Sequence, residues 1–214
     1  MNKTTICFDL DGTLTDPKPG ITRSIQYALE KLGHPAPGED ELTWCIGPPL
    51  LGSFEALVGD ADAEIALKHY RDRFGDIGYR ENELYTGITE TLTALGGHDV
   101  QLLVATSKPT IYARKIIEHF GLAGFFEDVC GSELDGPRAD KTDLLAWIVA
   151  EKGLAPAAPA MIGDRRHDVI GARNNAIDGI AVLYGYGSRD ELSEAGAEHF
   201  CARPGDLLAV LGAH

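Results

Sequence analysis

The chain has 214 residues, 44% hydrophobic and 24% charged, which is enough to bury a sizeable core as one domain with room for an insertion, in the composition range of globular proteins. A formal net charge of -14 repels nucleic acid and anionic membranes, so neither is expected as a partner, and an anionic substrate would need cations concentrated locally. Cys7, Cys45, Cys130 and Cys201 make neither a C-x-x-C pair nor a zinc spacing; with no apolar leader after Met1-Asn2-Lys3 and no run long enough to span a bilayer, a cytoplasmic protein with reduced thiols is expected, and Asn2-Lys3-Thr4 is not read as a glycosylation site.

In chain order, Ile6, Cys7 and Phe8 form a buried strand that runs straight into Asp9, Leu10, Asp11, Gly12 and Thr13. With Leu10 between them, Asp9 and Asp11 share a face if the strand continues, and Gly12 lets the backbone turn away. Two ionised carboxylates ~4 Å apart repel by ~4 kcal/mol at an effective dielectric of ~20, so they require a cation, and a divalent metal with oxygen ligands is the candidate. Taken alone, the same residues also suit a strand that ends in an Asx-turn.

Pro17, Pro19 and Gly20 then mark a loop, and Ile21, Ile25, Leu29 and Leu32 recur at helical spacing up to Gly33. Residues 50–58 form a short helix and 63–77 a longer one, with Ala66, Leu67, Tyr70, Phe74 and Ile77 on one side; Pro48 forces the turn between Cys45 and Leu50 to be irregular. Residues 15–83 therefore read as all-helical. From Thr86 helices and strands alternate: a helix through Ile88, Leu92 and Leu95, a strand over 100–105, a helix over 111–120 closed by Gly121, and a strand over 128–131. A helix around 144–149, a strand over 160–162, a helix over 169–175, a strand over 180–183 and a helix over 207–211 complete the chain. This alternation predicts an α/β fold, a Rossmann-like parallel sheet with helices on both faces, every strand's carboxyl end being brought to one edge. The expected core is 1–14 with 84–214, and 15–83 is an inserted helical cap domain.

Three predicted strands end in residues able to do chemistry: Asp9 and Asp11, then Thr106-Ser107-Lys108, then Gly163-Asp164 with Asp168 following. Ligands of open α/β sheets bind beyond the carboxyl ends of the strands, so these residues should converge there, with Lys141, just before a helix, close by. Each has a plainer reading. Lys141 suits a solvated lysine at a helix start, Ser107 could stand in for Thr106, and Asp168 could cap the helix it precedes. Lys108, Arg165 and Arg166 are read as facing solvent, and His167 as a surface or packing residue. Gly59-Asp60-Ala61-Asp62 begins like a calcium loop, but Ile65 stands where glycine is required, and there is neither a Walker A sequence nor a G-x-G-x-x-G.

Asp9-Leu10-Asp11-Gly12-Thr13, Thr106, Lys141, and Gly163-Asp164 with Asp168 resemble the four ordered motifs of the haloacid dehalogenase superfamily over essentially the whole chain. Ile46-Gly47-Pro48-Pro49-Leu50, Thr106-Ser107-Lys108-Pro109 and Gly163-Asp164-Arg165-Arg166-His167-Asp168 are similar to its phosphoglycolate phosphatase and 5'-nucleotidase-like branches, although Thr86 stands before Gly87 where proline is common. The resemblance implies hydrolysis of a phosphate monoester through an aspartyl-phosphate: Asp9 as nucleophile, Asp11 as acid and base, and Thr106 on a phosphoryl oxygen. It implies Lys141 as the offsetting cation, and Mg²⁺ on Asp9, the Asp11 carbonyl and Asp164, with Asp168 in support. The expected partner is a small phosphorylated metabolite, a nucleoside 5'-monophosphate or phosphoglycolate, bound by a monomer or homodimer. A phosphomutase, a phospho-acceptor signalling domain and a non-catalytic metal-binding regulator are the competing readings, and a dehalogenase has little need of the Asp164 and Asp168 pair. Specificity is expected at the turn Gly47-Pro48-Pro49-Leu50, with Trp44 and Phe54 offering apolar surface to the leaving group, although the same residues equally suit an ordinary inter-helix turn packed inside the cap.

Overall fold

The computed structural model describes residues 3–155 and 159–213; Met1 and Asn2, on which the reading of the N-terminus and of Asn2-Lys3-Thr4 partly rests, lie outside the described residues. The strands are β1 (Thr5–Phe8), β2 (Thr15–Asp16), β3 (Glu83–Leu84), β4 (Gln101–Pro109), β5 (Asp128–Ser132), β6 (Pro159–Gly163), β7 (Asp178–Val182) and β8 (His199–Cys201). The α-helices are α1 (Lys18–Lys31), α2 (Leu50–Val58), α3 (Asp60–Asp76), α4 (Ile88–Gly96), α5 (Thr110–His119), α6 (Lys141–Glu151), α7 (Arg166–Asn174), α8 (Arg189–Ala195) and α9 (Asp206–Leu211). The chain divides into two compact units, one of Met1–Asp16 with Leu84–His214 and the other of Pro17–Glu83.

In the first unit six strands form one parallel sheet in the order β5-β4-β1-β6-β7-β8. β1 lies between β4 and β6, with Thr5–Phe8 in register with residues 101–104 on one side and 159–162 on the other. A strand enclosed on both faces and both edges has to be apolar throughout, and Ile6, Cys7 and Phe8 are fully buried. Cys7 joins Leu103, Met161, Leu145 and Ile148 in one cluster, whereas Phe8, on the opposite face, meets Phe126 edge-on with ring centroids 6.1 Å apart. The chain steps from β1 outward to β4 and β5, then crosses back to β6 and beyond. This reversal leaves a crevice at the carboxyl ends of β4, β1 and β6.

Four local expectations are corrected here. β8 and α8 were absent from the sequence reading because a three-residue edge strand and a polar seven-residue helix carry almost no periodic signal; α8 is marked only by its Ser188 cap, which accepts from Glu191 N–H at 3.1 Å. Lys141 does not precede its helix but opens it, since the Asp140 side chain caps α6 by accepting from Thr142 and Asp143 N–H. Asp168 likewise lies inside the first turn of α7, and from there it does cap the helix, its Oδ2 accepting from Arg165 N–H at 3.1 Å. The strand carrying Thr106 continues through Pro109, with a shift of register against β5 between Ala105 and Pro109.

The second unit is helical. α1 starts at Lys18, inside the expected loop, because proline fits the first turn of a helix, where its missing N–H has no partner to lose. In the stretch 15–83, read as strand-free, β2 and Glu83 of β3 are extended. Phe54 is completely buried, edge-on to Tyr70 at 6.1 Å, and so offers no surface to a ligand, whereas Trp44 is half exposed. Ile77, expected on the buried side of α3, is 50% exposed. Among the described residues no helix is long and apolar enough to cross a membrane.

Candidate active site

Beyond Phe8 the backbone stays in register for one residue, Asp9 N–H donating to Ile162 O at 2.8 Å. It then folds over itself: Leu10 O accepts from the N–H groups of Leu14 and Thr15, both at 3.0 Å. The turn depends on Gly12, which has φ +83° and whose missing Cβ makes room for the Asp164 carboxylate. Left-handed backbone and close approach both require glycine there. Asp9 and Asp11 are left 5% and 7% exposed at the mouth of the crevice.

Asp9, Asp11, Lys108, Lys141, Asp164 and Asp168 are the buried charged side chains of the described residues, and all six meet at this edge. Lys141 Nζ lies 3.1 Å from Asp9 Oδ1 and 2.8 Å from Asp168 Oδ1, and donates to Ala105 O at 2.8 Å. Lys108 Nζ lies 2.6 Å from Asp11 Oδ2. Asp164 Oδ1 accepts from the Thr13 hydroxyl at 3.4 Å and its Oδ2 from Tyr186 N–H at 2.7 Å. Carboxylate oxygens of Asp9, Asp164 and Asp168 come within 4.8 Å of one another. Four carboxylates face two ammonium groups, leaving an excess of two negative charges, as many as one divalent cation carries.

The titration tendencies follow from that imbalance. Burial, then Asp168 and Asp9, push the Asp164 carboxyl well above the usual range. Burial also raises Asp11, with Lys108 pulling the other way, and raises Asp168 by more than Lys141 lowers it. For Lys141 burial works downward, but Asp168 and Asp9 outweigh it and hold the ammonium above the ordinary lysine value. Geometry points the same way: carboxylate oxygens of Asp9, Asp164 and Asp168 lie close together, and Asp11 Oδ1 is buried without a hydrogen-bond partner, an oxygen donor set suited to a hard cation. The residues present fit a metal of the magnesium type.

Two apart on β4, Thr106 and Lys108 are buried and share a face, while Ser107 between them is only half-buried. Thr106 Oγ1 accepts from Lys108 N–H at 3.2 Å, which leaves its own proton to give. Lys108 therefore does not face solvent, and the i, i+2 spacing from Thr106 was the signal that placed it inside. Arg165 is held by Glu191 at 2.9 Å; Arg166 is exposed, and His167 is half-buried with its pKa lowered by burial.

Four carboxylates and two lysines thus meet at the switch point of the parallel sheet. Residues 6–182 match the haloacid dehalogenase-like hydrolase family, and the chain belongs to it. It is 47% identical to a 5'-nucleotidase from Pseudomonas aeruginosa over 98% of this chain and 96% of that one. It is 41% identical to the tyrosine-protein kinase PtkA of Mycobacterium tuberculosis, over 86% of this chain but only 64% of that relative's length. Among solved structures, a predicted phosphatase from Clostridium acetobutylicum superposes with a TM-score of 0.94 at 38% identity, covering 99% of both chains. More distant relatives are named phosphoglycolate phosphatase. These likenesses place the chain among the phosphatases of the family.

Proposed function

We propose that the chain is a Mg²⁺-dependent phosphomonoesterase that works through an aspartyl-phosphate, with a nucleoside 5'-monophosphate as the favoured substrate and phosphoglycolate as the alternative. The observation that carries the reading is the excess of two negative charges among buried groups, with Asp9, Asp164 and Asp168 within 4.8 Å of one another. Asp9 and Asp164, the Asp11 carbonyl and Asp168 in support are the residues that would hold the ion, which when bound neutralises phosphoryl charge.

Asp9 attacks phosphorus while the P–O bond to the leaving group breaks, and the departing oxygen takes the proton of Asp11. Water then attacks the aspartyl-phosphate, giving its proton to Asp11, and inorganic phosphate leaves. Lys141 fixes the attacking carboxylate through its 3.1 Å contact and offsets charge as phosphoryl approaches. Thr106 donates to a phosphoryl oxygen. Entry of the phosphoryl group gives Lys108 a second anionic partner, which loosens its hold on Asp11 and favours the protonated form needed for the first step. The nucleotide preference rests on the 47% identical relative named 5'-nucleotidase.

A panel of phosphate monoesters assayed with Mg²⁺ and with EDTA tests the reading; undiminished release of phosphate in EDTA overturns it. A second reading, phosphoryl transfer to a protein tyrosine, is favoured by the name of the Mycobacterium relative. Incubation with ATP labelled on the γ-phosphoryl group separates the two: label on protein tyrosine favours transfer, and none there, together with phosphate released from nucleoside monophosphates, favours hydrolysis.

A further inference from the structure

Both oxygens of the Asp164 carboxylate are held from outside its own strand, one by the Thr13 hydroxyl and one by Tyr186 N–H. The two holders belong to two segments, residues 12–16 after β1 and residues 184–187 after β7, and these are tied to each other twice. Tyr184 Oη donates to Thr13 O at 3.2 Å, and Tyr186 Oη donates to Asp16 Oδ1. The second segment lies so close that a Cβ on Gly185 would strike Gly12 O and the Asp164 side chain, and one on Gly187 would strike Asp164 O. Tyr85 closes the cluster, edge-on to Tyr184 with centroids 5.0 Å apart.

We infer that Tyr186 and Asp16 are positioning residues: their side-chain hydrogen bond sets the register of the 184–187 segment and thereby aims the Asp164 carboxylate at the metal. The inference rests on the Mg²⁺ reading proposed above and adds to it a control on metal affinity by two side chains that are not ligands. A backbone N–H can orient a carboxylate only as firmly as its own loop is fixed. With glycines on either side of Tyr186, its hydroxyl is the side-chain tie nearest the N–H that holds Asp164, beside the bond from Tyr184 Oη to Thr13 O. Burial and the Asp16 charge raise the Tyr186 pKa, so the phenol remains a donor throughout the working pH range. Outer hydrogen bonds of this kind typically change metal affinity by ~10- to 100-fold.

The test is calorimetric titration of Mg²⁺ into the substrate-free protein, alongside thermal midpoints in EDTA and kinetics at saturating Mg²⁺. Tyr186→Phe and Asp16→Ala should each weaken Mg²⁺ binding about tenfold, and the double variant should be little worse than the weaker of the two, because both break the same hydrogen bond. Asp16→Asn keeps an accepting Oδ1 and should bind close to wild type. Turnover at saturating Mg²⁺ should fall far less than affinity. Asp16→Ala and Asp16→Asn keep the comparison decisive should Tyr186→Phe fold poorly. Wild type that takes up no Mg²⁺ overturns the function proposed above. Wild type that binds, with Tyr186→Phe or Asp16→Ala within twofold of it, overturns the positioning role alone, as does an Asp16→Asn variant as weak as Asp16→Ala.

Discussion

Replacing Lys141 by methionine tests whether the buried charges act as one set. The substitution keeps most of the side-chain volume and removes an ammonium group that is 3% exposed, 3.1 Å from Asp9 and 2.8 Å from Asp168. At 3.1 Å and an effective dielectric of ~20 the attraction to one carboxylate is about 5 kcal/mol, and breaking a buried pair by removing one partner costs about 3–5 kcal/mol net. Lys141→Met should therefore lose about that much in urea unfolding at pH 7.5 in EDTA. Asp168, whose pKa burial pushes up to about 6 even beside Lys141, should respond by taking up a proton, so the loss should shrink toward pH 5.5. Adding Asp168→Asn removes one of the stranded charges and should recover part of the stability. Activity should drop by about 10²-fold or more, since the offset to nucleophile and phosphoryl charge is gone. A variant within about 1 kcal/mol of wild type at pH 7.5, with near-normal turnover, would refute the electrostatic reasoning.

Asp9→Asn should fold and be essentially inactive, and turnover near wild type would remove it as nucleophile. Asp11→Asn should lose about 10²- to 10⁴-fold, least with a nitrophenyl ester whose leaving group needs little protonation; equal losses for alkyl and nitrophenyl phosphates would assign Asp11 another role. Thermal scans with Mg²⁺ and with EDTA should show pH-dependent stabilisation. The raised folded-state values of Asp164 and Asp168 mean that at these two groups the metal-free fold binds more protons than the unfolded chain above pH 3.8, so their contribution to its stability falls as pH rises through this window, to about 6 for Asp168. Mg²⁺ requires the ionised carboxylates, so its increment in melting temperature should be larger at pH 7.5 than at pH 5.5. An increment that grows on acidification would contradict the assignment of these groups.

Local pattern sufficed where the physical cause was local. The apolar run Ile6-Cys7-Phe8 has to be a buried strand, Gly12 has to follow two acids for the chain to turn, and α2 occupies the residues its apolar spacing marked. The sheet class was legible because alternating helices and strands leave few ways to cover both faces. The placing of Asp9, Asp11 and Asp164 just past strand ends followed from the same reasoning, whereas Thr106 lies within β4, which runs on to Pro109. What the sequence could not decide was anything set by a partner distant along the chain. Lys108 has the composition of a surface residue and is buried because Asp11, ninety-seven positions earlier, meets it at 2.6 Å. Lys141 has the same composition, and only the path of the preceding loop and the Asp140 cap turn it inward to Asp9 and Asp168. Ser107 and Thr106 are alike in chemistry and are separated by the face of β4 on which each falls. The bond from Tyr186 to Asp16 joins residues 170 apart, in loops without periodicity. Charge pairing and loop closure are decided by folded geometry, because the energy of each contact depends on a distance that local propensity does not encode.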